Sequence, residues 1–404
     1  MAAPHELGFD QDRLGRLDAV LHRYVDKGKL PGVQTLISRR GELVHRDCYG
    51  FRDVENSLPV EPDTIYRIYS MTKPITSVAL MMLYEEGHFL LENPVRRWIP
   101  ELGDLQVWTG GTEEAPETRP LESPLTVHQV LTHTSGLTYG FQYAHPVDAM
   151  YRARALGDFF TTPTYTLAEG MALLGEVPLL FEPGTQWNYS MSTDVCGRLV
   201  EVMSGMSLDE FFRTRIFEPL GMVDTGFVTP SADLDRCCPL YVFQAGKGMR
   251  LLARPEVMAR AVPFLSGGGG LHSTADDYLR FCHLLVNGGE LDGVRLLSPR
   301  TLQLMTTNHL PGGRTLNEMG QTTFSEVAMG GTGFGLGFSV LVDPAASQSL
   351  GSVGQYAWGG AASTAFWVDP IEELAVVFMT QLLPSNTYPL RRHLQAGVYQ
   401  ALVD

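Results

Sequence analysis

Strand-like runs stand at the two ends of this chain and are nearly missing from its middle, a distribution that constrains the fold more than any single motif. Near the N-terminus, Gly32–Ser38 and Glu42–Tyr49 are two short strand-like runs joined through Arg39-Arg40-Gly41, which reads as a hairpin. Near the C-terminus, Phe334–Val342, Ser363–Val368 and Leu374–Thr380 read as strands, the last two joined by Asp369-Pro370-Ile371-Glu372-Glu373. Asp10–Lys27 carries apolar positions at helical spacing with acidic residues in its opening turn, and a closing helix is expected over about Pro389–Leu402. One antiparallel sheet assembled from both termini, with helices packed on its faces, accounts for this pattern.

The middle reads differently. Thr126–Thr134, Leu167–Leu174, Asp194–Ser204 and Ser207–Phe217 are helical patterns linked by loops containing Pro and Gly, and Leu105–Pro124 reads as a surface loop. A chain of 404 residues exceeds the length of most single cores. The expectation is an α/β protein of the α+β type: residues 1–100 and 266–404 form the sheet-containing domain, and residues 101–265 an inserted, mainly helical one.

Composition narrows the partners. A formal net charge of −15 disfavours nucleic acid and anionic membranes. No run approaches the ~20 apolar residues of a membrane helix, and the N-terminus shows neither a basic nor an apolar leader region, so a cytoplasmic protein is expected. The five cysteines form no C-x-x-C pair, which points to free thiols, and no H-E-x-x-H occurs. No metal and no cofactor are expected. The sequence sets no oligomeric state.

The chemistry begins at Tyr66-Arg67-Ile68-Tyr69-Ser70-Met71-Thr72-Lys73-Pro74. Ser70 and Lys73 stand three apart at what reads as a helix start, so one helix face carries a hydroxyl and an amine. A serine becomes a useful nucleophile when a neighbouring base takes its proton, and a lysine serves when burial lowers its pKa. The free N–H groups of a helix opening also suit a developing oxyanion. With four lysines in the chain, this spacing alone arises by chance in about a quarter of such sequences, taking serine at roughly its usual share.

Three further segments add candidates. Gly184–Val195 places Tyr189 in a loop just before a helix, where a phenol can relay a proton or pack with its hydroxyl tied off. Tyr356-Ala357-Trp358-Gly359-Gly360-Ala361 precedes a strand; its glycines permit close approach and an exposed N–H near Ala361, or form a simple turn. Ser266–Asp277 contains four consecutive glycines but lacks the Gly-Lys-Ser/Thr ending of a phosphate loop, so a turn into a Ser/Thr-capped helix is expected. No G-x-S-x-G elbow occurs.

Taken in order, Ser70-Met71-Thr72-Lys73, Leu131-Thr132-His133-Thr134-Ser135-Gly136-Leu137, Tyr189-Ser190-Met191, Gly268–Thr274 and Trp358-Gly359-Gly360 resemble the serine β-lactamase and penicillin-binding-protein superfamily. The likeness is strongest to class C β-lactamases and the family VIII carboxylesterases, and it runs from about residue 10 to about residue 400. The resemblance implies Ser70 as acylated nucleophile, Lys73 and Tyr189 as proton-transfer partners, and the N–H groups of Ser70 and Ala361 as the oxyanion hole, with His133 structural. It leaves open whether Lys73 or Tyr189 is the first base.

Two departures bear on substrate. Trp358-Gly359-Gly360 replaces the Lys-Thr-Gly of class C enzymes, and Met191 stands where their Tyr-x-Asn motif has an amide. Both exchange polar recognition for apolar surface and resemble the esterases. The expected function is hydrolysis of short- to medium-chain neutral esters through an acyl-serine, with weak lactam hydrolysis as a side activity. Trp358, Gly359, Gly360, Met191, Trp187, Tyr139 and Phe141 are the expected substrate-binding residues. The alternatives are an acyltransferase of the same fold, a β-lactamase or D,D-peptidase, and a non-catalytic penicillin-binding homologue.

Overall fold

A computed structural model describes residues 3–158, 162–320, 326–327 and 329–404. Its largest sheet contains Gly32–Arg39 (β1), Glu42–Asp53 (β2), Leu58–Pro59 (β3), Thr332–Phe334 (β4), Ser339–Leu341 (β5), Tyr356–Gly359 (β6), Ala365–Asp369 (β7) and Leu374–Met379 (β8). The spatial order is β4-β5-β6-β7-β8-β1-β2-β3, antiparallel throughout. The two termini meet where β1 pairs with β8, Gln34 opposite Met379 and Arg39 opposite Leu374. The first hairpin closes through Arg40 and Gly41, both at positive φ (54° and 79°), the geometry that matches strand twist.

Five helices frame the sheet and the site: Gln11–Asp26 (α1), Thr72–Glu85 (α2), Ser192–Ser204 (α3), Ala275–Val286 (α4) and Leu390–Tyr399 (α5). Every residue of β1 is buried, because both faces of the sheet are covered there. Val33, Ile37, Val376 and Phe378 pack with Leu14, Leu17 and Leu21 of α1 and with Leu394 and Val398 of α5. Leu36, Ala375, Val377 and Met379 join the other, larger core, to which α4 contributes Tyr278, Leu279 and Phe281. Each fully buried leucine contributes roughly 2 kcal/mol. Asp10 starts α1 by accepting the Arg13 N–H at 2.9 Å.

Thr72 to Leu83 of α2 are all buried. A helix buried on every side belongs in the interior, and α2 packs against α3. Helices also occupy Val127–Leu131, Leu167–Gly175 and Leu208–Phe212, the last continuing as a π turn over Arg213–Phe217.

Three segments differ from the sequence expectation. Phe334–Val342 is not one strand: Gly335 N bonds Phe338 O at 2.8 Å and Gly337 sits at φ 92°, so the chain reverses between β4 and β5. Leu105–Pro124 holds a hairpin, Gln106–Gly111 against Pro116–Pro120, because backbone pairing tolerates the polar, Gly-rich sequence and Val107 anchors it by a bridge to Leu179. Leu240–Gln244 and Gly248–Ala253 form another hairpin, whose first strand pairs in parallel with Leu382–Leu383. All five cysteines are free, and no helix among the described residues is long and apolar enough to cross a membrane.

Candidate active site

The short strand Ile65–Arg67 leads into a tight turn, Tyr69–Met71, and directly into α2. Tyr69 adopts φ +44°, a costly conformation for a residue with a side chain, one position before Ser70. The turn presents the Ser70 side chain to the junction of sheet and helices while leaving it 6% exposed. One helical step on, Lys73 is 1% exposed and its Nζ lies 3.2 Å from Ser70 Oγ.

The Lys73 amine is surrounded rather than paired. Nζ donates to Gly268 O at 2.6 Å and sits 4.6 Å from the centre of the Tyr189 ring and 5.3 Å from that of Tyr139. Burial pushes its pKa down to about 7, against the Asp194 and Glu326 carboxylates, which favour the charged form. Asp194 itself is raised by burial; its Oδ1 accepts Ser266 Oγ at 2.6 Å and the Gly268 N–H at 3.0 Å. A Cβ at Gly268 would stand 2.8 Å from Asp194 Oδ2, so glycine is what lets this carbonyl reach the lysine. The glycine run leads, through Leu271, into Thr274, whose hydroxyl caps α4 by accepting the Asp277 N–H at 3.2 Å.

From the opposite side, Tyr189 donates its hydroxyl to Ser70 Oγ at 2.5 Å. Desolvation and the neighbouring Glu326 charge hold the phenol pKa well above 10, so it is a neutral donor. The loop bearing it is pinned to the Leu131–Leu137 string: Asn188 N bonds His133 O at 3.0 Å, and Asn188 Nδ2 bonds Leu137 O at 3.0 Å. His133 shares hydrogen bonds with Ser190 (3.1 Å) and Thr193 (3.5 Å), and burial keeps it neutral. Neither of these bonds reaches Ser70; His133 buttresses the tyrosine loop.

The Ser70 turn packs against β6 and the residues that follow it. A Cβ at Gly360 would lie 2.4 Å from Ile68 O, which measures how closely that strand end approaches the turn. Ala361 shares a small cluster with Tyr69. Among the described residues neither the Ser70 N–H nor the Ala361 N–H donates to a protein acceptor.

A cavity of about 190 Å³ opens on Ser70, walled by Tyr139, Phe141, Met191 and Phe264 with Asp158 and Asp194. Of the residues expected to bind substrate, the structure brings Tyr139, Phe141 and Met191 to this wall. Trp187, Trp358, Gly359 and Gly360 are not among its lining residues. Trp187 (0% exposed) and Trp358 (2%) instead pack behind Tyr189, with ring centres 6.4 Å and 5.4 Å away. Asp194 and Phe264 are not among the candidates the sequence offers, whereas Gly268 opens the string Gly268–Thr274. The glycine run pointed toward Gly268, whereas Asp194 and Phe264 carry no local signal.

Known proteins resemble this chain along nearly its whole length. The family model described as Beta-lactamase matches residues 17–400. Protein Rv1367c of Mycobacterium tuberculosis is 35% identical over 371 residues, covering 91% of this chain and 89% of its own. Esterase EstB of Burkholderia gladioli is 31% identical over 403 residues, covering 95% and 94%. The solved structure of EstCE1, "a hydrolase with promiscuous acyltransferase activity", superposes with a TM-score of 0.80 at 26% identity, covering 96% of this chain and 99% of that one. The chain belongs to the β-lactamase family, in the branch of serine hydrolase-type enzymes that contains esterases and acyltransferases.

Proposed function

We propose that the protein is a serine carboxylesterase that cleaves short- to medium-chain neutral esters through an acyl-serine. The observation that carries this reading is Ser70 Oγ held between a neutral phenol donor and a lysine of depressed pKa at the mouth of a small cavity. In the neutral amine form, Lys73 Nζ accepts the Ser70 proton as Oγ attacks the ester carbonyl. The carbonyl oxygen gains negative charge facing the N–H groups of Ser70 and Ala361. As the tetrahedral species collapses, the C–O bond to the alcohol breaks and the alcohol takes a proton from Tyr189, which recovers it from the Lys73 ammonium. Water then adds to the acyl-serine by the same route in reverse, releasing acid and free Ser70.

The walls support a neutral substrate. Tyr139, Phe141, Met191 and Phe264 supply apolar contact, and no arginine or lysine stands among the described lining residues. A carboxylate-bearing lactam would therefore enter a cavity walled by Asp158 and Asp194, with no cationic side chain among its described lining residues. Acyl transfer to an alcohol is the second reading, favoured by the acyltransferase activity named for EstCE1; it uses the same acyl-serine, with an alcohol in place of water.

The test is side-by-side turnover of p-nitrophenyl butyrate and a chromogenic cephalosporin by wild type and Ser70→Ala. Ester cleavage that dominates and is lost in the variant supports the proposal. Undiminished cleavage by Ser70→Ala overturns it, and dominant lactam cleavage overturns the substrate assignment. Adding a primary alcohol and measuring the new ester separates transfer from hydrolysis.

A further inference from the structure

The peptide that carries the Ala361 N–H is gripped at its other end by a cation. Its carbonyl, Gly360 O, accepts Arg391 Nη2 at 3.0 Å and Ser363 N at 3.0 Å. The same Nη2 donates to Thr364 O at 2.9 Å and to Glu326 Oε2 at 2.7 Å, while Nη1 donates to Glu326 O. The Glu326 side chain is 0% exposed and that of Arg391 26%, so the pair is shielded from water on the carboxylate side.

The glycines of this segment make room for the arrangement. A Cβ at Gly359 would stand 2.2 Å from Arg391 Nη2, whereas one at Gly360 would strike Thr364 Oγ1 at 2.2 Å and Ile68 O at 2.4 Å. Successive residues of a strand point to opposite faces. The guanidinium thus approaches from one face at Gly359, and the turn leading to Ser70 approaches from the other at Gly360.

We propose that Arg391 is a positioning residue for the oxyanion site, fixing and polarising the Gly360–Ala361 peptide so that its N–H is aimed at the oxygen that gains charge. This rests on the acyl-serine reading above. A peptide unit is rigid, so a donor fixed on its oxygen fixes the direction of its N–H. A charged donor on the carbonyl also strengthens that N–H as a donor, since hydrogen bonds in series polarise one another. Arginine suits the task because one planar group spans three carbonyls and a carboxylate; a lysine cannot reproduce that fork.

The experiment compares wild type, Arg391→Lys, Arg391→Met and Arg391→Ala with p-nitrophenyl butyrate, and measures inhibition by a trifluoromethyl ketone. Such a ketone adds Ser70 and places an oxyanion where the tetrahedral species has one. Removing a whole oxyanion donor costs about 10²–10³ in kcat; a donor left in place but unfixed should cost roughly 10- to 100-fold, with KM within about threefold. Ketone affinity is expected to fall in parallel with kcat/KM, and Arg391→Lys to recover only part of the loss. A cavity of about 460 Å³ lined by Arg391, Trp367, Tyr388 and Gln395 gives a small cation room to enter. Methylguanidinium, well below denaturing levels, is therefore expected to restore part of the kcat of Arg391→Ala.

Unchanged kcat in the folded variants, or a kcat loss without a loss of ketone affinity, overturns the inference. Failure of methylguanidinium to rescue Arg391→Ala does the same. Should Arg391→Met and Arg391→Ala fail to fold, Arg391→Lys decides: wild-type kcat and ketone affinity in that variant overturn the proposal. The reading beneath it fails separately, through turnover that survives Ser70→Ala.

Discussion

The Tyr189 hydroxyl donates to Ser70 Oγ at 2.5 Å across 119 residues of sequence. The direction of that bond divides the work at the site. A phenol held protonated by burial and by the Glu326 charge is a donor and has no room for another proton. Lys73, with its pKa lowered to about 7, is the neighbour able to accept one. On the acyl-serine mechanism proposed above, these two directions assign the first proton to Lys73, an assignment that the pH and Tyr189→Phe measurements below decide.

The pH dependence follows. The neutral amine is the active form, so kcat/KM for a neutral ester should rise with pH through about 7 and then level off. A profile measured from pH 5 to 9 with an unionised ester checks it. An activity that is flat across that range would place the base elsewhere.

Tyr189→Phe removes the proton relay but leaves the base. Its kcat should fall by about 10²–10⁴ while the acidic limb of the profile stays near the same pH. If the limb disappears together with the phenol, Tyr189 and not Lys73 is the titrating base.

Lys73 also sets a stability slope. Its folded pKa of about 7 lies below the ordinary value of 10.5, so between these values the unfolded chain binds the extra proton. Stability relative to Lys73→Met should accordingly rise with pH from about 7 towards 10 and be level below about 6. Chemical denaturation of both proteins at pH 6, 8 and 9.5 checks the sign. A difference that stays level from pH 6 to 9.5 would mean the amine is charged when buried.

Apart from the joining of the two ends of the chain in one antiparallel sheet, what is legible in the sequence is local. Arg40-Gly41 announces the first hairpin because those residues adopt positive φ, and the Ser/Thr cap expected after the glycine run is Thr274. Ser70 and Lys73 meet because three residues in a helical turn share a face. The remainder depends on partners far along the chain. Residues 382–383 become a strand only beside 240–244, and Asp194 finds its role only when Gly268 arrives from 74 residues away. Trp358 shows the limit most clearly: an aromatic beside a glycine pair can wall a cavity or back it. The pairing of Trp358 with Phe366 across β6 and β7 fixes which face it takes, and the ring ends against Tyr189 and Phe334.

Acyl-chain length should answer to two positions that act in opposite directions. Phe264, 8% exposed, closes the cavity with its edge against Tyr165, ring centres 5.6 Å apart. Phe264→Ala removes that wall, at a stability cost of about 3 kcal/mol or more, and should move the preferred p-nitrophenyl ester from butyrate towards octanoate. Gly157 lies across the cavity at φ +56°, where a Cβ would stand 2.5 Å from the Tyr139 ring and 3.0 Å from the Met191 sulfur. Gly157→Ala should therefore narrow the space and shift preference towards acetate, with some loss of stability from the strained backbone. The ratio of kcat/KM for acetate, butyrate and octanoate esters, measured in both variants, reads the two shifts. Equal chain-length preference in wild type and both variants would mean the acyl group leaves Ser70 along a different wall, with the alcohol in this cavity instead.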